Sequence, residues 1–196
     1  MTATGDESRL LMIGCGILKD EITLLIREQG WPVTFVSLPS ALHMDFHKLG
    51  HSLGKALARE ADREKVVFYG ACHPLMDGIL AEAGTIRTPG QNCLDIYLGR
   101  ELFDRELENG AFFLFEDWAL HWDEVAGELF RTNPAVTKTI FTGAHKYLLA
   151  IRTPCSGDFT LQAEEISRQT GLELRWLYAG LDHLEANMAT VINRKL

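Results

Sequence analysis

Residues 10–38 read LLMIGCGILKDEITLLIREQGWPVTFVSL, and the order of apolar and amphipathic stretches in this segment sets the fold class. LLMIG, from Leu10 to Gly14, is a short apolar run closed by glycine. DEITLLIREQG follows with apolar residues at helical spacing and a glycine stop at Gly30. WPVTFVSL, rich in β-branched and aromatic residues, then reads as a second strand.

The same alternation continues along the chain. HKLGHSLGKALAREADREK has helical periodicity, VVFYG is a third buried strand, HPLMDGILAEAG a helix and TIRTP a short fourth strand. CLDIYLGRELFDREL is expected as one helix capped by Gln91 or Asn92, GAFFLF as a strand and EDWALHWDEVAGELFR as the helix behind it. PAVTKTIFTGAHKYLLAI is expected to be helical, and FTLQAEEISRQTG, LELRWLY and AGLDHLEANMATVI to run helix, strand, helix. The pattern predicts an α/β protein: a single-domain, Rossmann-like three-layer sandwich with a mainly parallel sheet and right-handed crossovers. Residues 1–8 are expected to form a flexible N-terminus and 9–196 a single α/β domain.

Composition narrows the function classes. At 196 residues with 46% hydrophobic content, the chain can bury a sizeable core. Its formal net charge is -8 and its basic residues are scattered, so no nucleic-acid partner is expected. The N-terminus lacks the basic region and long apolar stretch of a secretory signal, and no apolar run approaches the roughly 20 residues that span a bilayer. No membrane partner and a cytoplasmic location are the expectations.

Four cysteines, Cys15, Cys72, Cys93 and Cys155, lie far apart and form no CxxC pair. In a cytosolic chain they should be thiols or ligands rather than disulfides. Their places relative to the strands are more informative, because open α/β sheets bind ligands beyond the carboxyl ends of the strands. Cys15 directly follows LLMIG, Cys72 comes just after VVFYG, and Cys93 opens the helix after TIRTP. His43, leaving the second strand through SLPSALH, belongs to the same edge. Three thiols and one imidazole make a plausible soft-metal site, for zinc or an iron-sulfur cluster. Sulfurs more than about 8 Å apart could not share one ion through bonds of about 2.3 Å.

Cys72 and Cys93 are also candidate nucleophiles, since thiolates at helix N-termini have lowered pKa values. The opposing reading is that cysteines are small core hydrophobes, and it suits Cys155 best. Arg87 could hold an anionic group, and Gly14, Gly16 and Gly70 mark places where backbone approaches a neighbour or a ligand. Asp95 is expected to point away from Cys93, with support of a site ligand as the alternative. Trp118, His121 and Trp122 could wall a cleft or form a contact surface, although aromatic residues at this helical spacing more often pack into a core. In LHMDFHKLGH, His43, His47 and His51 recur every four residues. His47 and His51 are assigned to the solvent side of a helix, leaving His43 as the ligand candidate.

LLMIGCGILKDEI, SLPSALH, VVFYGACH, TIRTPGQNCLDIYLG and GAFFLFEDW, in this order, resemble the blocks of the domain of unknown function 1638 family. The likeness covers most of residues 9–125 and extends loosely to the C-terminus. Cys15, His43, Tyr69, Gly70, Cys72, Arg87 and Cys93 fall on its motif positions, with Tyr69, Gly70 and Arg87 as substrate-binding candidates. His73 replaces a glycine of the pattern, Asn92 an aspartate, and Phe46-His47 a polar, proline-containing run. The resemblance implies an association with corrinoid-dependent methyltransferases and their reactivation proteins, around one-carbon or methylamine metabolism.

Three functions are therefore expected to compete. The first is a zinc or iron-sulfur protein accessory to corrinoid-dependent methyl transfer, with the corrinoid reached only through a partner, a corrinoid protein or methyltransferase. The second is a metal-free enzyme with a cysteine nucleophile acting on a small anionic substrate. The third is a non-catalytic partner-binding module.

Overall fold

The computed structural model describes residues 9–125 and 134–196. The α/β class and parallel pairing expected from the sequence are present, with the strands divided between two three-stranded parallel sheets. The chain likewise forms two compact units, one made of the residues up to Gly99 together with Leu181–Leu196, the other of Arg100–Gly180. The expected flexible segment 1–8 lies outside the described residues.

In the first unit, β1 (Leu10–Cys15) lies between β2 (Val33–Leu38) and β3 (Lys65–Phe68). All six residues of β1 are buried, as expected of a strand covered on both faces. The central position explains why LLMIGC is continuously apolar while edge strand β2 mixes buried and exposed residues. The fourth strand expected at TIRTP is reduced to one parallel bridge, Val67 with Arg87, flanked by Val67 N–H donating to the Ile86 carbonyl and Thr88 N–H to the Val67 carbonyl.

Helix α1 (Lys19–Glu28) buries Ile22 and Leu25, and α2 (Phe46–Arg59) buries the stripe Leu49, Leu53 and Leu57. Their four-residue spacing places these leucines on one helical face, and the opposite face leaves His47 and His51 exposed as expected. Asp45 caps α2 by accepting a hydrogen bond from Lys48 N–H at 3.1 Å. Helix α3 (Met76–Glu82) follows β3.

The helix expected from Cys93 through Leu107 is interrupted at Gly99, giving α4 (Cys93–Leu98) and α5 (Arg100–Glu108). Gly99 has φ +79°, and a β-carbon there would lie 2.7 Å from the His183 ring. This left-handed, crowded position suits glycine and stops the helix where the first unit ends. The final helix of the chain, Asp182–Ile192, returns to the first unit and buries Leu184, Met188, Val191 and Ile192. Asn187 Nδ2 donates to the Ile96 carbonyl at 3.0 Å, linking it to α4.

In the second unit, β4 (Ala111–Leu114), β5 (Tyr147–Arg152) and β6 (Glu173–Tyr178) pair in that order. Here the helical expectation for 134–151 is corrected. Pro134–Ala144 is helical, but YLLAIR forms the central strand of the sheet. Burial of its first five residues between two parallel neighbours overrides the helical spacing suggested by the preceding segment. The helix expected over 116–131 is two short pieces, Glu116–Leu120 and Trp122–Val125, and its remainder, residues 126–133, lies outside the described residues. Thr160–Thr170 forms the helix between β5 and β6.

Gly70 tests the tightest approach in the first unit. A β-carbon there would stand 2.4 Å from the backbone of Gln91 and Asn92, whereas one at Gly54 in α2 would meet nothing within 4 Å. Gly70→Ala should therefore lower stability by about 1–3 kcal/mol through overpacking. Gly54→Ala should raise it by about 0.5–1 kcal/mol by removing helix-interior glycine. Urea unfolding of the two variants checks the opposite signs.

Candidate functional site

The strand ends of the first unit bring three of the predicted thiols together. Cys15 ends β1 and is buried; Cys72 lies four residues beyond β3 and is half-buried; Cys93 begins α4 and is also half-buried. The Cys93 thiol hydrogen-bonds with both Cys15 and Cys72, so it is the shared partner of the set. Hydrogen-bonded thiols lie well inside the limit of about 8 Å for sharing an ion. The described residues nevertheless contain no group of three or more His, Cys, Asp or Glu side chains assembled to hold a metal ion.

Local structure explains the position of Cys93. Arg87 Nη1 donates to the carbonyls of Thr88 at 3.2 Å and Gly90 at 3.0 Å, tying down the loop before α4. Asn92 Oδ1 caps α4 by accepting from Asp95 N–H at 2.9 Å. The Asp95 carboxylate, buried and turned back rather than left pointing outward, accepts from Gln91 N–H at 2.6 Å. Asparagine and aspartate are comparable N-caps, so the departure at Asn92 preserves the turn.

Tyr69 and Gly70 form the strand-end side of the site. Thr88 Oγ1 donates to the Tyr69 carbonyl at 3.1 Å, while the absence of a β-carbon at Gly70 admits the 91–92 backbone. Tyr69 is 1% exposed, and its hydroxyl has no hydrogen-bond partner although the ring lies within electrostatic reach of all three thiols. Burial first, and then the three cysteines, pushes the Tyr69 hydroxyl far above the ordinary phenol range. Its proton therefore stays in place.

The thiols have opposite acidities. The Cys93 hydrogen bond, opposed by desolvation and helped by Gly70 N–H and the Arg87 charge, lowers Cys72 below the usual thiol range. Its role as hydrogen-bond donor toward Cys15 and Cys72, followed by burial, pushes Cys93 well above that range. The expectation that helix position would activate both cysteines is thus reversed for Cys93. Its placement between two sulfurs outweighs the short helix behind it.

Other candidates occupy distinct settings. His43 is half-buried in the turn Ser40–Met44, with Nδ1 2.6 Å from the Ser40 carbonyl. A carbonyl only accepts, so Nδ1 is the donor in this bond, the kind of bond that orients metal-binding imidazoles. His73 accepts from Leu75 N–H at 2.9 Å and packs edge-on against Phe46. Arg87 also donates from Nε to Asp77 at 2.9 Å, so much of its donor capacity positions protein rather than substrate. In the second unit, Cys155 sits in a turn where its N–H donates to Thr153 Oγ1.

Trp122 belongs to the second unit's apolar core, and Trp118 packs against that core. Trp122 also walls an open cleft of about 480 Å³ with His121, Leu161, Glu165 and Gln169, donating its indole N–H to Gln169 Oε1 at 3.0 Å. The orphan Tyr69 hydroxyl and the central role of Cys93 were not read from the sequence. The spacing of YGAC and QNC gave no direct sign of how closely their loops pack.

A parallel α/β unit with a thiol cluster beyond its strand ends defines the structural class. Residues 37–188 match the family described as "Protein of unknown function (DUF1638)", and the chain belongs to that family. The match includes His43, Tyr69, Cys72, Arg87 and Cys93, while Cys15 precedes it. Comparison with curated proteins and with solved structures returns no match. Among the described residues, no helix is long and apolar enough to cross a membrane.

The unequal thiol acidities have a direct chemical consequence. At pH 7, iodoacetamide should modify Cys72 fastest of the four cysteines because its thiolate fraction is raised. Cys93→Ala should slow that reaction severalfold by removing the donor that lowers Cys72. Peptide mass spectrometry over a time course measures both rates.

Proposed function

We propose that Cys15, Cys72 and Cys93 hold a soft metal ion of the zinc class, and that the protein assists corrinoid-dependent methyl transfer by presenting an activated thiol acceptor. The supporting observation is the Cys93 thiol hydrogen-bonded to both Cys15 and Cys72, which draws soft donors from three loops into contact. Such donors select zinc-like ions over harder cations. Iron-sulfur clusters commonly use four cysteines, so three contacting thiols suit a single ion better.

The donor set fits the ion in chemistry, although it is not assembled into a metal cage among the described residues. Tetrahedral zinc with bonds of about 2.3 Å places sulfurs about 3.8 Å apart. When bound with an open position, the ion would lower the pKa of a coordinated thiol and favour its nucleophilic form. His43 offers a candidate fourth donor for a closed, structural form of the same site. Arg87 contributes positive charge beside Cys72, and Tyr69 excludes water from the buried side. The methyl-bearing corrinoid belongs to a partner, a corrinoid protein or methyltransferase, in this reading.

A metal-free cysteine enzyme is the second reading, favoured by the Cys93 and Arg87 environment of half-buried Cys72. Cys72 would attack a small anionic substrate while Arg87 holds its charge. Elemental analysis after purification without chelator separates the readings. The metal reading expects stoichiometric zinc in the native protein and Cys155→Ser, with most of it lost in Cys93→Ser. Substoichiometric metal in the native protein would overturn that reading, while alkylation of Cys72 far faster than Cys155 would then support the nucleophile.

A further inference from the structure

The two edges of the first sheet are finished differently. On β3 the outward backbone groups of Val67 are taken: its N–H donates to the Ile86 carbonyl and its carbonyl accepts from Thr88 N–H, both at 2.9 Å. Strand β2 lacks such a cover. It pairs with β1 from Leu10 opposite Val33 to Cys15 opposite Leu38, and Leu10 N–H donates to the Pro32 carbonyl at 2.9 Å. That register turns the backbone groups of Thr34, Val36 and Leu38 toward β1, and those of Val33, Phe35 and Ser37 away from it. The Val33 N–H is used by the Trp31 carbonyl at 2.8 Å. Among the described residues, the N–H and carbonyl of Phe35 and of Ser37 meet no backbone partner.

Edge strands are normally guarded by charge, proline, a bulge or short length. Strand β6, an edge of the second sheet, carries the Arg175–Glu173 ion pair. VTFVSL has no charged residue, runs six residues in unbroken register, and leaves Val36 42% exposed with Ser37 exposed beside it. Its prolines, Pro32 and Pro39, stand just outside the strand and bound the stretch that another strand can join. An uncharged edge also lets two chains of net charge -8 meet without setting like charges against each other.

We propose that β2 is a dimer interface, pairing antiparallel with β2 of a second copy about a two-fold axis at Val36. A two-fold axis normal to the sheet keeps each side chain on the same face in both copies, so even positions lie opposite even and odd opposite odd. The outward groups of Phe35 and Ser37 meet that condition. Phe35 lies opposite the partner's Ser37, and each N–H donates to the other's carbonyl, an exchange that occurs twice across the axis. All four free backbone groups of each edge are thereby used. Val36 packs against the partner's Val36 and Thr34 against the partner's Leu38, which covers the most exposed apolar side chain of the strand. The ladder stops at Pro39, which has no N–H to offer the Val33 carbonyl.

Sedimentation velocity between about 1 and about 100 μM reads the assembly, and the native chain should shift from monomer toward dimer across that range. Val36→Lys sets two ammonium groups on the axis, and Ser37→Pro removes an outward N–H without breaking a bond to β1. Each should weaken the dimer at least roughly tenfold. Leu161→Lys, at a 77% exposed position of the second unit, should leave it unchanged. Amide hydrogen exchange resolved by NMR gives a second readout. The Phe35 and Ser37 amides should be protected at high concentration and lose that protection on dilution, while the Thr34 and Val36 amides, bonded to β1, stay protected throughout. Should Ser37→Pro fail to fold, Val36→Lys and the exchange pattern of the native chain decide. A chain that stays monomeric at about 100 μM would overturn the inference and leave the edge to a strand of another protein. A dimer unaffected by Val36→Lys, or one in which the Phe35 and Ser37 amides exchange as fast as in the monomer, would overturn it by placing the interface elsewhere.

Discussion

The absence of a β-carbon at Gly70 makes the site possible. The Gln91–Asn92 backbone approaches so closely that a β-carbon would lie 2.4 Å away. That contact brings the end of β3 against the loop preceding α4, and hence Cys72 against Cys93. A second close contact acts beside it: a β-carbon at Gly14 would lie 2.6 Å from Phe68 Cβ, where β1 and β3 run in register. Cys15 immediately follows that contact. Two small residues therefore let separate strand-end loops deliver three sulfurs to one place.

The polar residues around this approach act mainly as fasteners. Arg87 ties the Thr88 and Gly90 carbonyls, Asp95 turns back to Gln91, and Asn92 caps the helix bearing Cys93. Each bond satisfies a backbone group that the crowded turn would otherwise leave without a helical or sheet partner. The same bonds determine where the cysteine points. Arg87 thus joins the site electrostatically while spending several N–H groups on the loop, a division of labour invisible when the residue is considered only as an anion binder.

The sequence made the first sheet legible because LLMIG, WPVTFVSL and VVFYG each overlap a short parallel strand followed by a turn. It also located the thiols at strand ends from chain order alone. Gly99 and YLLAIR were harder. A helical pattern runs across both sides of Gly99, and only its positive φ and the nearby His183 ring reveal the stop. YLLAIR follows a helical segment, yet two strands bury it from opposite sides. The thiol acidities were obscured for a related reason: sequence places Cys93 at a helix start, but long-range packing places it between Cys15 and Cys72.

That long-range packing also constrains charge. Three adjacent thiolates in a partly buried site would repel one another and lose hydration. Arg87 supplies positive charge near Cys72, and Cys93 can donate its proton to the Cys72 sulfur. This favours charge at Cys72 while burial and the neighbouring sulfurs keep Cys93 protonated. Deprotonating the whole set therefore calls for further positive charge at the cluster. Under the metal reading, the arriving cation would supply that charge, and proton release would accompany binding. The resting set therefore concentrates negative charge at Cys72, next to Arg87, and keeps the Cys93 proton between the sulfurs.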